Sequence, residues 1–249
     1  MVDPRLRELR RVAIVPALNE AKAVGRVIDE IRAFDPGLDI VVVDDGSTDG
    51  TAAAATAKGA RVLRLPFNIG IGGAVQTGFR FAFENDYDIA VRLDGDGQHD
   101  PQQLRAVLEP LLSGDADIAV GSRFAVPVER AGYTSTRSRR VGIRLLAWVV
   151  SRIAGQRVTD TTSGFQALNR RAIELFARDY PHDYPEVEAT VMVFRHRLRL
   201  LEVQVHMRER HGGRSSITAL RSIYYMAKVL LALFVGLFRR DVVSQEESE

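Results

Sequence analysis

From Arg11 to Val120 the chain alternates short apolar runs with stretches whose apolar residues recur at helical spacing. The runs Arg11–Pro16, Asp39–Val43, Arg61–Leu65, Asp88–Leu93 and Asp117–Val120 have the length and β-branched content of buried strands. Between them the spacing predicts helices. Val24, Val27, Ile28 and Ile31 make one apolar stripe, stopped by Asp35-Pro36-Gly37, with Asn19 placed to cap it. An Ala-rich helix ends at Lys58-Gly59, and the next opens after Asn68-Ile69-Gly70-Ile71-Gly72-Gly73 and runs to about Glu84. Another starts at Pro101, with Leu104, Val107, Leu108, Leu111 and Leu112 on its buried face. This alternation predicts a parallel sheet covered by helices on both faces, with a ligand site at the carboxyl ends of the strands.

Beyond Val120 the pattern loosens. Ala125 to Arg140 is polar and Arg-rich and reads as a loop leading to a helix over Val141–Ile153. Thr159 to Phe165 reads as a polar turn, Asn169-Arg170-Arg171 as a helix start, and Asp179 to Tyr184 as a second turn before a helix carrying Glu186 and Glu188. Leu200–Met207 alternates like a late strand. From Ile223 to Phe238 the sole charge is Lys228. At 1.5 Å per residue that run reaches about 24 Å, short of the ~30 Å hydrocarbon core. An amphipathic helix lying on a membrane surface fits it better than a span, and packing on the domain or an apolar partner is an equal alternative. The expected organisation is a folded domain over residues 1–216, an amphipathic helix over 217–240 and an acidic, disordered tail over 241–249.

Composition narrows the classes. A chain of 249 residues that is 46% hydrophobic can bury a sizeable core. Without cysteine there is no disulfide framework, no thiolate metal site and no thiol nucleophile. The charged start, Met1 to Arg11, lacks the apolar centre of a signal peptide, so the expected location is the cytoplasm, peripheral on the membrane's cytoplasmic face. The formal charge of +2 conceals an asymmetry: acidic residues crowd the chain before Asp117, and arginines crowd Arg123–Arg171 and Arg195–Arg240. One half suits a cation and the other suits anions. No helix-turn-helix, finger or stacking-aromatic pattern accompanies the basic half, so nucleic acid is not an expected partner.

The candidate chemistry lies where the strands end. The fourth run stops at Asp94-Gly95-Asp96, followed by Gln98. Two carboxylates spaced i, i+2 on flexible backbone can converge on a hard cation such as Mg2+ or Mn2+, leaving positions open for phosphate; the alternative is an acidic turn. The second run ends in Asp44-Asp45 and the fifth in Gly121-Ser122-Arg123. Three strands ending in chemically active residue types favour ligands over turns. The Gly70-x-Gly72 stretch invites a dinucleotide-binding reading, but the fingerprint fails at Val75 and follows the third strand, which argues against an oxidoreductase. Its glycines still permit close backbone approach, to a phosphate at the helix N-terminus or to the sheet.

Taken together, the chain resembles the family 2 glycosyltransferases of GT-A fold, in their polyprenyl-phosphate, dolichyl-phosphate mannose synthase-like branch. The resemblance rests on Val15-Pro16-Ala17-Leu18-Asn19-Glu20, Val43-Asp44-Asp45-Gly46-Ser47-Thr48-Asp49, Asn68-x-Gly70-x-Gly72 and Asp94-Gly95-Asp96-Gly97-Gln98. It continues through Gly121-Ser122-Arg123, Asp160-x-x-Ser163-Gly164-Phe165 and Arg210-x-x-Gly213-x-Ser215. It implies a Rossmann-like, mixed, mainly parallel sheet and a nucleotide-sugar pocket from Pro16, Ala17, Glu20, Asp44, Asp45, Gly70, Gly72 and Asp94. It further implies metal ligation by Asp94, Asp96 and Gln98, and receipt of a polyprenyl phosphate by Arg123, Arg137, Arg210 and Ser215. Asp160 would orient the acceptor or a nearby Arg. Gln166 stands where the family often has Arg, and Ser216 where it often has Lys.

The expected reaction is a single inverting displacement that moves a hexose from a GDP-mannose- or UDP-glucose-type donor to the acceptor phosphate. That phosphate, with a second pKa near 6, is mostly ionised at neutral pH and needs no strong general base. Arginine forks suit its alignment. The expected partners are the donor, the polyprenyl phosphate, and a membrane surface or small integral membrane protein. The alternatives are a soluble relative acting on a small phosphorylated or carboxylated acceptor, or a silent sugar-nucleotide-binding subunit.

Overall fold

The computed structural model describes residues 3–125, 137–182 and 185–208 together with residue 228, and of residues 137–145 the backbone. Its strands are β1 (Arg11–Ala17), β2 (Asp39–Asp44), β3 (Arg61–Arg64), β4 (Ile89–Arg92), β5 (Ile118–Ser122), β6 (Gln166–Asn169) and β7 (Leu200–Gln204). Its helices are α1 (Val24–Phe34), α2 (Thr51–Ala57), α3 (Ile71–Glu84), α4 (Leu104–Leu112), α5 (Arg137–Ala154), α6 (Arg170–Arg178) and α7 (Pro185–Arg195). The strands form one sheet in the order β3-β2-β1-β4-β6-β5-β7. β6 runs antiparallel to β4 and β5, and every other neighbouring pair is parallel.

The period-2 alternation of buried strands sorts side chains into two layers. In β1, Ala13 and Val15 join Val27, Ile28 and Ile31 of α1 and Leu104 and Val107 of α4 on one face. Val12 and Ile14 join Phe79 of α3 and Ile173 and Phe176 of α6 on the other. A satellite cluster joins Leu146 and Val150 of α5 to Val187 and Val191 of α7. Gly78 lets α3 settle onto the sheet, because a Cβ there would collide with the Ile14 side chain.

Three local expectations change. Asn19 does not cap α1, which begins four residues after Glu20 with Ala23 at its N-cap and no side-chain cap bond. Asn19 instead sits at φ 56°, and its Oδ1 accepts from Thr48 N–H. α5 already has helical backbone at Arg137, within the stretch read as loop. Gln166–Asn169, where the sequence assigned no element before the helix start at Asn169, is a strand, because its burial comes from two flanking strands and not from its own short pattern. Pro101 does open the fourth helical segment, through a 3-10 turn capped by Asp100, whose side chain accepts from Gln102 N–H. The predicted helix over 217–240 and the tail over 241–249 lie outside the described residues apart from Lys228. Among the described residues no helix is long and apolar enough to cross a membrane.

Candidate functional site

The carboxyl ends of β1, β2 and β4 converge. Asp45 N–H donates to Ala17 O at 3.0 Å, and Gly95 N–H to Pro16 O at 3.2 Å, so the loops after β2 and β4 both rest on the end of β1. The loop after β1 is held by hydroxyls: Asn19 N–H donates to Ser47 Oγ at 2.9 Å and Glu20 N–H to Thr51 Oγ1 at 2.8 Å. Asp45 accepts from the Ile69 and Gly70 N–H groups at 2.8 and 3.1 Å, fixing the turn in which Gly70 adopts φ 89°. Asp44 is fully buried; its Oδ1 accepts from Ser47 N–H, whereas Oδ2 has no hydrogen-bond partner and lies 3.8 Å from Arg64 Nε. A buried carboxylate oxygen left this way is an acceptor in waiting.

Gly72 behaves differently from its neighbour. A Cβ there would meet the backbone of Pro181 and His182, so the close approach it permits is to the chain's own backbone.

After β4 the chain turns through Asp94, Gly95, Asp96 and Gly97, the last at φ 78°. Asp96 Oδ1 accepts from Gln98 N–H at 2.9 Å, and Gln98 O accepts from Arg208 N–H at 2.9 Å, so the loop is pinned on both sides. Arg208 also reaches Glu30 and, at 2.7 Å, Asp100. His99 is buried and stacks on Phe165 at 5.2 Å, and its Nδ1 accepts from Asp94 N–H at 3.0 Å. Burial pushes the imidazole pKa down, against the pull of Asp94 and Asp96, and keeps it the neutral acceptor this bond requires.

Asp94 and Asp96 offer hard oxygen donors, and the Asp94 side chain is 36% exposed at the open end of the sheet. Among the described residues no three His, Cys, Asp or Glu side chains cluster as a complete metal cage. A pair of carboxylates without a cage fits Mg2+ or Mn2+ better than a closed structural site, since such ions complete their shell with phosphate oxygens and water.

The basic wall stands beside this loop. Arg123, just past β5, makes a two-pronged pair with Asp160: Nε to Oδ2 at 2.7 Å and Nη2 to Oδ1 at 2.8 Å, with a further bond from Nη2 to Thr162 Oγ1 at 2.6 Å. Burial alone would raise the Asp160 pKa, but the hydrogen bonds and charge of Arg123 outweigh it and hold the carboxyl below its ordinary range. Glu202 of β7 supports the same turn by accepting from the Thr159 and Asp160 N–H groups, and burial raises its pKa. A Cβ on Gly164, at the far end of the turn, would lie 3.1 Å from Asp94 Oδ1 and 3.0 Å from Arg92 Nη2. The turn 160–164 therefore touches the arginine wall at one end and the acidic loop at the other.

The structure thus gathers Pro16, Ala17, Glu20, Asp44, Asp45 and Gly70 on one side of the strand ends, and Asp94, Asp96 and Gln98 beside Arg123 and Asp160. Arg137 heads α5, but its side chain lies outside the described residues, as do Arg210 and Ser215. Sequence reasoning gave no role to Arg92, His99, Glu186 or Glu202. An arginine inside an otherwise apolar strand was the one available signal, because a buried charge demands a partner. Gln166, where the resemblance led one to expect Arg, faces Arg92 across the β4–β6 pair.

Comparisons with known proteins bear on the family and the fold. The family described as glycosyl transferase family 2 matches residues 12–176. Undecaprenyl-phosphate mannosyltransferase of Micrococcus luteus is 31% identical over 222 residues, covering 84% of this chain and 88% of that protein. Polyprenol monophosphomannose synthase of Mycolicibacterium smegmatis is 29% identical over 219 residues, covering 84% and 81%. A crystal structure of glucosyl-3-phosphoglycerate synthase from Mycobacterium tuberculosis, in complex with Mn2+, UDP and glucosyl-3-phosphoglycerate, shares the fold with a TM-score of 0.73 at 24% identity, covering 96% of this chain and 83% of that one.

Proposed function

This chain belongs to glycosyl transferase family 2, and from that premise we propose that it moves a hexose from a nucleotide sugar to a polyprenyl phosphate, with inversion at the anomeric carbon. The observation that carries the reading is the meeting of an acidic loop and a buried arginine pair across the turn 160–164. Two of the relatives are named for mannosyl transfer to a polyprenol carrier, which supports both the acceptor class and a mannose-type hexose.

The residues divide the work as follows. Asp44, one oxygen of which makes no hydrogen bond, and Asp45 receive the donor's base beside Pro16 and Ala17. Asp94 and Asp96, joined by Gln98, would hold a divalent cation. When bound, Mg2+ or Mn2+ would supply positive charge to offset the negative charge that grows on the diphosphate as the sugar leaves. Arg123 presents a guanidinium already ordered by Asp160, so little side-chain freedom is lost when an acceptor phosphate docks. Arg137, Arg210 and Ser215 complete that phosphate's shell. An acceptor oxygen forms its bond to the anomeric carbon as the bond to the diphosphate breaks, and the nucleoside diphosphate departs with the electron pair. No general base is needed for an ionised phosphate. The apolar stretch 217–240 keeps the enzyme at the membrane surface that contains the polyprenyl chain.

The test offers GDP-mannose and UDP-glucose with Mn2+ to the full chain, with polyprenyl phosphate in one arm and 3-phosphoglycerate in the other. Sugar is expected on the lipid, and transfer is expected to fail with EDTA and in Asp96→Asn. Deleting residues 217–249 is expected to remove the protein from the membrane fraction. Sugar found on 3-phosphoglycerate alone overturns the acceptor, and transfer indifferent to both EDTA and Asp96→Asn overturns the metal.

A further inference from the structure

Arg92 is the largest fully buried side chain in the molecule's described part, 1% exposed at the last position of a central strand. A guanidinium there must be matched by charge. Its Nη2 lies 2.8 Å from Glu186 Oε1, in the first turn of α7, and 3.6 Å from Asp94 Oδ1. Its Nη1 donates to the Tyr180 hydroxyl at 3.2 Å. Burial opposes the charge, yet Tyr180, Glu186 and Asp94 together hold the arginine firmly protonated. One planar fork therefore touches the Asp94 loop, the segment before α7 and α7 itself.

Two further features are built around this fork. Gly164 carries no side chain where a Cβ would press on Arg92 Nη2 and Cζ and on Asp94 Oδ1, at 3.0, 3.1 and 3.1 Å. Gln166, whose Nε2 donates to Ser163 O at 3.1 Å, is the cross-strand partner of Arg92 on antiparallel β6. Directly opposed residues in an antiparallel pair project from the same face. Gln166 Oε1 and Arg92 Nε are each buried without a hydrogen-bond partner, at cross-strand positions on the same face of the sheet.

We propose that Arg92 is a positioning residue for the transfer reaction. It holds Asp94 by Oδ1, while Oδ2 lies 3.8 Å from His99 Nε2, and ties that carboxylate to Glu186 so that α7 and the acidic loop keep one geometry around the carboxylates that would hold the cation. The inference rests on Asp94 as a cation ligand. Charge at this site is not sufficient: the planar fork is required, because it alone spans Asp94, Glu186 and Tyr180 at once.

The test uses the full chain and Mn2+ itself, with free Mn2+ read by EPR in the presence of a nucleoside diphosphate and without turnover. Asp94→Asn is expected to abolish the bound fraction. Arg92→Lys keeps the charge and loses the fork, and is expected to weaken Mn2+ by about 10- to 100-fold, as supporting groups behind metal ligands do. In turnover it raises the donor KM more than it lowers kcat. The exchange Arg92→Gln with Gln166→Arg returns a guanidinium to the same face from the other strand and is expected to recover most of the Mn2+ affinity. Should the exchange fail to fold, Arg92→Lys decides alone. Wild-type Mn2+ affinity in Arg92→Lys, beside loss in Asp94→Asn, overturns the positioning role and leaves the site reading standing. Wild-type affinity in Asp94→Asn removes the premise and the proposal together.

Discussion

Replacing Asp160 separates the structural from the chemical role of the arginine wall. Asp160 is 2% exposed and Arg123 7%, and the carboxylate accepts from Arg123 Nε, Nη2 and N–H and from the Thr162 N–H and hydroxyl. Asp160→Ala leaves a buried guanidinium without its counter-charge, which costs about 3–5 kcal/mol. In a chain of this size each kcal/mol moves the melting midpoint by about 2–4 °C, so the expected fall is roughly 6–20 °C. Asp160→Asn keeps the shape and one acceptor oxygen and loses the charge, for about 1–2 kcal/mol. The pH dependence has a definite sign. The folded pKa of Asp160 lies below its ordinary value near 4, so the unfolded chain binds the proton more readily and stability rises with pH across that window. The contribution is complete above about 4 and disappears as pH falls through the folded value. Urea unfolding of wild type and Asp160→Asn should therefore show a gap that is constant at neutral pH and closes below about pH 4. An Asp160→Ala midpoint within experimental error of wild type, or a gap that ignores pH, would refute the ion-pair argument.

Two other substitutions probe the scaffold beneath the site. His99→Phe keeps the ring against Phe165 but removes the acceptor for Asp94 N–H; a buried donor left unmatched costs about 1–3 kcal/mol. Urea midpoints should fall and donor affinity should weaken with them, and an unchanged midpoint would mean the Asp94 N–H finds water. Gly78→Ala sets a helix-propensity gain of about 1 kcal/mol against overpacking of about 1–3 kcal/mol where the new methyl meets Ile14. Overpacking should win and lower the melting temperature; a rise in thermal scans would mean that α3 can lift off β1 freely.

Much of this was legible because local pattern and tertiary environment agreed in the first half. Val24, Val27, Ile28 and Ile31 repeat as an amphipathic helix repeats, and Val41, Val42 and Val43 read as a buried strand because both their neighbours are strands. Asp94 and Asp96 alone read equally well as an acidic turn, and it was their place among three strand ends with chemically active residue types that singled the loop out. Gln166–Asn169 gave no such signal. Four residues with polar ends carry no period, and what makes them a strand is the hydrogen-bonding edge that β4 and β5 offer on either side. Arg92, Glu186 and Tyr180 were equally hidden, because their link depends on a sequence separation of 94 residues between Arg92 and Glu186. Asn19 misled for a related reason: its residue type suits a helix cap, yet the loop after β2 claimed its side-chain oxygen first.

The inconspicuous β6 also explains how the two charges at one end of the sheet come to be linked. In a wholly parallel sheet the residues that precede a strand lie at its amino end, opposite the ligand site. β6 is antiparallel, so the residues before it, Asp160 to Phe165, arrive at the carboxyl ends of β4 and β5. Asp160 meets Arg123 at the end of β5, Gly164 meets Asp94 beyond the end of β4, and Phe165 lies under His99. Arg123 reaches this end on β5, which runs in the same direction as β4, and what a reversal adds is the turn that ties it to the acidic loop. The four-residue strand supplies it, and its register sets Gln166 opposite Arg92. A one-residue slip would turn Gln166 to the other face and withdraw the turn from both walls, so the register of β6 sets the geometry of the strand ends as directly as the loops after β4 and β5 do.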